Sequence, residues 1–299
     1  MNTTFWGPSG WVFLHTLTFI YPETPSYSDK VTMQNFMNSI SYILPCKYCR
    51  ISFTKYSSTL PIIDYLDTRD KVIEWLYKMH NKVNKKLRGQ GFCNYSNPDL
   101  SVIKDKYKPI LEHIHNLCSS HHKNIQTIQT IITYICNLGR DFLASIVFNY
   151  QGYFSNCYSG DEKIKIVSVY HTFFNSIIPF ICSYISKMDS TMDANMTLQC
   201  SDFLSRYTIN NSVTTLFNIK NILSQNEAYS KLIKWFYNCK LLCSFDDKVM
   251  NSFDKYMTYY SKHIVLSCSN PTDMKDKTKM KSCRKNMKKS VKKSIKKSI

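Results

Sequence analysis

Glycine is scarce, with seven in 299 residues. That argues against a dinucleotide fold built on a Gly-rich turn, and against a sheet protein with many tight hairpins. Long apolar runs are also missing. Nothing approaches the ~18 consecutive apolar residues of a membrane-spanning helix. The apolar stretch 11–21 is short, contains His15 and has no basic segment before it. Neither a span nor a secretory signal is therefore expected, and the sequons at Asn2, Asn94, Asn195 and Asn210 carry no weight. Acidic residues are few, 21 against 39 Lys and Arg, for a formal net charge of +18. The surplus is uneven, because 275–299 alone holds twelve Lys or Arg and one Asp. Twelve cysteines are too few for a disulfide-stapled scaffold, yet more than a typical cytosolic chain carries. In a reducing compartment such a content points to redox chemistry or metal binding.

What is present reads as an all-α protein. Apolar residues make up 43% and aromatics 14%, enough for a globular core. Pro8 and Ser9 are expected to open a first helix, with Trp11, Leu14, His15 and Thr18 on one face and Pro22 closing it. Ser28 or Asp29 can cap a second, whose Met33, Phe36, Met37, Ile40 and Ile43 keep the 3.6-residue period until Pro45. A third is expected from Cys46 to about Tyr56. Asp67 or Thr68 starts a fourth, with Val72, Trp75, Leu76, Met79, Val83 and Leu87 down one side and Gly89 and Gly91 at its end. A short fifth is expected after Pro98. These helices predict a four-helix bundle domain over 1–115. Helical segments at 123–150, 162–187, 200–223, 227–243 and 247–266 predict a second helical domain over 116–270, and 271–299 reads as a disordered Lys-rich tail.

Pro45-Cys46-Lys47-Tyr48-Cys49 is the segment that carries chemistry. Cysteines at i and i+3 on the first turn of a helix can close and reopen a disulfide, and the free amides and macrodipole there stabilise a thiolate. A half zinc site or two core cysteines would satisfy the same spacing. Downstream, His80 and Asn84 lie four apart on the predicted fourth helix, sharing a face with Trp75 and Met79. Trp6, Trp11 and His15 place flat side chains on another helix. Together they could sandwich a planar cofactor without a Gly-rich loop, with Lys82, Lys85, Lys86 and Arg88 near its phosphates. Packed core is the plainer reading of such a stripe.

The pattern WG-x3-W-x3-H (Trp6, Gly7, Trp11, His15), then PCxxC (Pro45, Cys46, Cys49), then W-x4-HN-x-VN (Trp75, His80, Asn81, Val83, Asn84) resembles the Erv/ALR family of FAD-linked sulfhydryl oxidases. The resemblance covers about residues 1–95, and extends to versions in large DNA viruses where a helical region follows the small catalytic bundle. It implies FAD bound among Trp11, His15, His80, Asn81 and Asn84. It implies Cys49 against the flavin as electron donor to it, and Cys46 as the partner that exchanges with thiol-containing protein substrates. Oxygen would be the final acceptor, giving hydrogen peroxide. A homodimer is implied, as are host-cytoplasmic virus factories or the virion as locations.

Departures accompany the match. Tyr77 stands where many members have a cysteine. Cys93 fits the first cysteine of a structural pair, with Cys118 the next available thiol, and Lys86 and Arg88 are displaced as phosphate ligands. Members often carry a mobile shuttle pair, for which Cys268 and Cys283 beside the tail are favoured over Cys239 and Cys243. Cys136, Cys157, Cys182 and Cys200 read as core thiols. The tail, with Met287, Val291, Ile295 and Ile299 every four residues among lysines, could meet an acidic membrane or nucleic acid. From a different class comes a zinc-binding interaction protein, with Cys46, Cys49, His80 and Cys93 as a Cys3His site.

Overall fold

The computed structural model describes residues 3–92, 94, 96–120, 125–149, 160–187, 254–255 and 258–260. Among these, all regular structure is helical: α1 (Thr3–Phe19), α2 (Tyr27–Ile43), α3 (Lys47–Thr59), a 3-10 turn (Ile62–Tyr65), α4 (Arg69–Gly89), α5 (Leu100–Ser120), α6 (Ile125–Leu138), α7 (Arg140–Phe148) and α8 (Gly160–Lys187). The expected segments 200–223 and 227–243, most of 247–266, and the tail lie outside the described residues.

Local chemistry fixes most of the early boundaries. Ser26, rather than Ser28 or Asp29, caps α2, and Asp29 returns the contact to the Ser26 backbone in a capping box. Thr68 caps α4 by accepting from the Lys71 amide. At the other end of α4, Gly91 takes φ 72° while its amide donates to Arg88 and that of Phe92 donates to Leu87. This is a Schellman stop, and the positive φ is why glycine stands there. α1 starts at Thr3, five residues before the proline expected to open it. Helix upstream of Pro8 persists because Phe5 meets Tyr259 and Tyr260, while Trp6 packs on Phe142.

Helices α1 to α4 alternate in direction, so the start of α3 lies at the same end of the bundle as the close of α4. α5 is a full 21 residues rather than a short helix, because Tyr107, Ile110 and Ile114 continue its packing toward α1. The expected boundary at 115 falls inside it. The later helices are built onto the bundle and share one apolar core with it. α8 lies along α2, where Phe36 stacks on Phe173 (4.9 Å) and meets Phe180 edge-on (5.5 Å). Asp29 accepts from Ser183 and pairs with Lys187 at one end of that contact. Burial works against its charge, but hydrogen bonds from Lys187, Ser26 and Ser183 win and hold the carboxyl at about 2.

The single expected helix 123–150 is broken at Gly139, where α6 and α7 meet at 75°. A Cβ at Gly139 would lie 2.6 Å from the ring of Phe13 on α1. Glycine is needed there because α1 comes too close for any side chain. Among the described residues no single helix is long and apolar enough to cross a membrane. Gly139→Ala should force the fully buried Phe13 aside and cost about 1–3 kcal/mol, read as a lower midpoint in urea or thermal unfolding.

Candidate functional site

Cys46 is the N-cap of α3 and not its first helical residue. Its backbone is extended, and its carbonyl accepts from the amides of Cys49 and Arg50, both at 3.0 Å. Both thiols are half-buried. The helix start makes them unlike. The Cys49 thiol donates to the Cys46 sulfur and, against the opposing effect of burial, lowers the Cys46 pKa to about 6, with help from the amides of Cys49 and Tyr48. That same hydrogen bond, then burial and the charge on Cys46, pushes the Cys49 thiol well up; Lys86 and Arg50 pull it partly back.

Lys86 comes from α4 and seats α3 there. Its ammonium donates to Ser52 at 2.6 Å. The next residue, Phe53, meets Trp75 edge-on at 6.4 Å, and the indole of Trp75 donates to the Leu60 carbonyl at 2.9 Å. Lys82 lies over the Tyr56 ring. Trp75 thus serves the α3–α4 core.

The flat cluster is built where α1 crosses α4. Trp11 and His80 stack at 3.7 Å with planes 7° apart, and His15 Nε2 lies 3.2 Å from His80 Nδ1. Tyr107 of α5 closes over His15 at 5.1 Å. Burial lowers the His15 pKa to about 3, with His80 and Lys106 adding repulsion, and lowers that of His80 to about 4, with Lys106 adding repulsion. Both rings are therefore neutral near pH 7. Their contact is an ordinary hydrogen bond with the proton on one of the two nitrogens.

The other predicted residues lie around this frame. Asn84 is buried and donates to Asn97 at 3.2 Å, and Arg88 donates to the same oxygen at 2.9 Å. Asn81 and Val83 are half-buried on α4. Trp6 sits against Phe142, 5.8 Å between ring centres. A Cβ at Gly7 would meet nothing within 4 Å, so this glycine leaves open space, unlike Gly10 with Phe142 at 3.0 Å. Sequence reasoning missed Asn97, Tyr107 and Ser52. No motif marks them, although Tyr107 lies on the helix expected to be short. Cys93, Cys268 and Cys283 lie outside the described residues. Among the described residues no three His, Cys, Asp or Glu side chains converge to hold a metal, and Cys93, the fourth ligand of the expected Cys3His site, lies outside them.

The residues present fit a planar, phosphate-bearing cofactor. Trp11 and His80 form a two-layer stack of flat rings. His15 Nδ1 and Trp6 Nε1 are buried polar atoms with no hydrogen-bond partner, which costs free energy unless a ligand meets them. Lys82, Lys85, Lys86 and Arg88 supply positive charge on the last turns of α4.

Two outcomes follow from this electrostatics. Cys49→Ala removes the donor that lowers the Cys46 pKa, so the pH midpoint for alkylation of Cys46, followed by peptide mass spectrometry, should rise from about 6 toward the ordinary thiol range. His15 and His80 titrate lower in the fold than the roughly 6.5 of an unfolded histidine, so the unfolded chain binds more protons between those values. Their contribution is complete above that unfolded value and is lost as pH falls toward 4. Urea midpoints should drop over that window, and His80→Gln should flatten the drop.

Comparison with known proteins gives a consistent result. Residues 8–108 match the model of the Erv1/Alr family. A probable FAD-linked sulfhydryl oxidase of Acanthamoeba polyphaga mimivirus is 36% identical over 85 residues, 28% of this chain and 59% of the relative. A mitochondrial FAD-linked sulfhydryl oxidase of Saccharomyces cerevisiae is 38% identical over 91 residues, covering 30% and 47%. An FAD-linked sulfhydryl oxidase of African swine fever virus is 29% identical over 82 residues, covering 27% and 67%. The chain thus spans about half the length of the first two relatives. No solved structure matches it significantly. The PCxxC turn at the start of α3 and the Trp11, His15 and His80 cluster where α1 crosses α4 both fall within residues 8–108, the segment that matches the Erv1/Alr family model.

Proposed function

We propose that this chain is an FAD-linked thiol oxidase that forms disulfides in protein substrates and passes the electrons to oxygen, giving hydrogen peroxide. The observation that carries the reading is the pair of unlike thiols at the start of α3, held against α4 by Lys86 and Ser52 beside the Trp11–His15–His80 cluster.

In the oxidised pair, a substrate thiolate attacks the Cys46 sulfur. A substrate–Cys46 bond forms, the Cys46–Cys49 bond breaks, and its electron pair leaves on Cys49. Lys86 and Arg50 stabilise the thiolate developing there. A second substrate thiol then attacks the substrate sulfur of the mixed disulfide. It expels Cys46, whose low pKa makes it a good leaving group. The substrate has lost two electrons and two protons and gained a disulfide, and the Cys46–Cys49 pair has taken them up as two thiols. Trp11, His15, His80, Asn81 and Asn84 are the residues that would hold FAD, with Trp6 and Gly7 at the open start of α1 and Lys86 and Arg88 toward its phosphates. FAD supplies a two-electron acceptor that reoxidises the pair and passes the electrons to oxygen.

Cys268 and Cys283 are proposed as a shuttle pair ahead of Cys46. Tyr260, eight residues before Cys268, is buried against Phe5 at the start of α1, the end of the bundle that carries the CxxC turn. Pairing of two chains, a site of action in virus factories or virions, and tail contact with membrane or nucleic acid belong to the same proposal.

Purified protein should be yellow and consume oxygen with dithiothreitol. Cys46→Ala and Cys49→Ala should each lower turnover by more than about a hundredfold while leaving the flavin absorbance in place. A colourless, folded protein would refute the proposal.

A further inference from the structure

Charge is sorted along the bundle. Residues 31–63 and 75–98 contain eight Lys or Arg (Lys47, Arg50, Lys55, Lys78, Lys82, Lys85, Lys86, Arg88) and no carboxylate. These two stretches are distant in sequence but hold α3 and most of α4, which pack together. The carboxylates of residues 3–92 gather instead toward the opposite end of the bundle, at Glu23, Asp29, Asp64, Asp67, Asp70 and Glu74. There they are largely neutralised: Asp67 by Lys30 (2.9 Å) and Lys71 (3.0 Å), Glu23 by Arg69 (2.6 Å), Asp70 by Lys104 (2.6 Å), Glu74 by Lys78 (2.7 Å), and Asp29 by Lys187. The thiol pair lies at the cationic end, and the fixed charges that act on Cys49 are Lys86 and Arg50.

Lys86 and Arg88 are hydrogen-bonded to Ser52 and Asn97, and a cofactor diphosphate would cancel about two charges. Exposed Lys55 and Lys85, with Lys47 and Lys82, still give α3 and the last turns of α4 one sign of charge, while Asp141 at that end of the bundle is paired with Arg140 and accepts from Tyr260. One turn before Pro45, Tyr42 exposes its ring beside them. Each of these positions lies within a few helical turns of Cys46, one or two Debye lengths at physiological salt. Such a field raises the rate of encounter with anionic partners and opposes cationic ones.

We infer that the protein substrates of this site present their thiols in acidic segments, and that the cationic face of α3 and α4 selects them. The inference rests on the thiol-oxidase reading and adds the substrate class to it. Its test compares three dithiol peptides of equal length, rich in Glu, in Ser or in Lys, with uncharged dithiothreitol as reference, using the flavin-loaded full chain. At low salt the acidic peptide should show a kcat/KM at least about tenfold above the basic one, with the gap closing as salt rises. The Lys55→Glu variant should lose part of that preference while oxidising dithiothreitol at the original rate. If dithiothreitol is oxidised but the three peptides react alike, the inference is overturned and the oxidase reading stands. If the acidic preference persists undiminished in a Lys55→Glu variant whose unfolding midpoint is unchanged, this face is not its source. Absence of dithiothreitol oxidation defeats the oxidase reading first, and the inference with it. Should the Lys55→Glu variant fail to fold, the ordering of the peptides on the unaltered chain still decides.

Discussion

Lys86 reaches from α4 to Ser52 on α3, and this contact sets the position of everything reactive in the molecule. It places a positive charge close enough to Cys49 to favour the thiolate there. It works with the edge-on packing of Phe53 on Trp75, which supplies the apolar burial a single hydrogen bond could not. Trp75 is nearly fully buried, so its indole N–H needs a partner and finds it in the Leu60 carbonyl near the end of α3. The middle and the end of α3 are thus both tied to α4.

Given that seating, the asymmetry of the two cysteines follows from position. Cys46 keeps an extended backbone as the N-cap, facing free amides, and receives a hydrogen bond from Cys49. Cys49 lies three residues into the helix and gives its proton away in that bond. One donor relation lowers one thiol and raises the other. An exchanging pair needs this division, with one sulfur that is attacked and expelled readily and another that carries the electrons inward.

The later helices support this arrangement indirectly. α7 packs on α1 through Phe142, and α8 covers α2 through Phe173 and Phe180, so two helices of the catalytic bundle are braced from outside. The Asp29 contacts with Ser183 and Lys187 add a polar lock at the end of the bundle opposite the thiols. The added region therefore extends the core, and Lys187 neutralises the Asp29 carboxylate at the end of the bundle opposite the thiols.

Much was legible from residue order alone, because it depends on neighbours in the chain. The 3.6-residue periods of α2 and α4, the caps at Thr68 and Gly91, and the i, i+3 cysteines after Pro45 are local features, and each appears near its expected place. The spacing of Trp11, His15 and His80 likewise marked a shared surface, which the crossing of α1 and α4 brings together. Where tertiary contact outweighed local preference, the sequence misled. Helix α1 begins before Pro8 because its first turn has aromatic partners far along the chain, α5 is long because Tyr107 and Ile114 find a core, and the 123–150 segment breaks because Phe13 leaves no room at Gly139. The roles of Ser52 and Asn97, the placement of Trp75 in core packing, and the sorting of charge to opposite ends were likewise decided only by folding. Helix periods and caps need only a few adjacent residues, whereas the approach of two helices sets which distant side chains meet, which lose water and which charges remain unpaired.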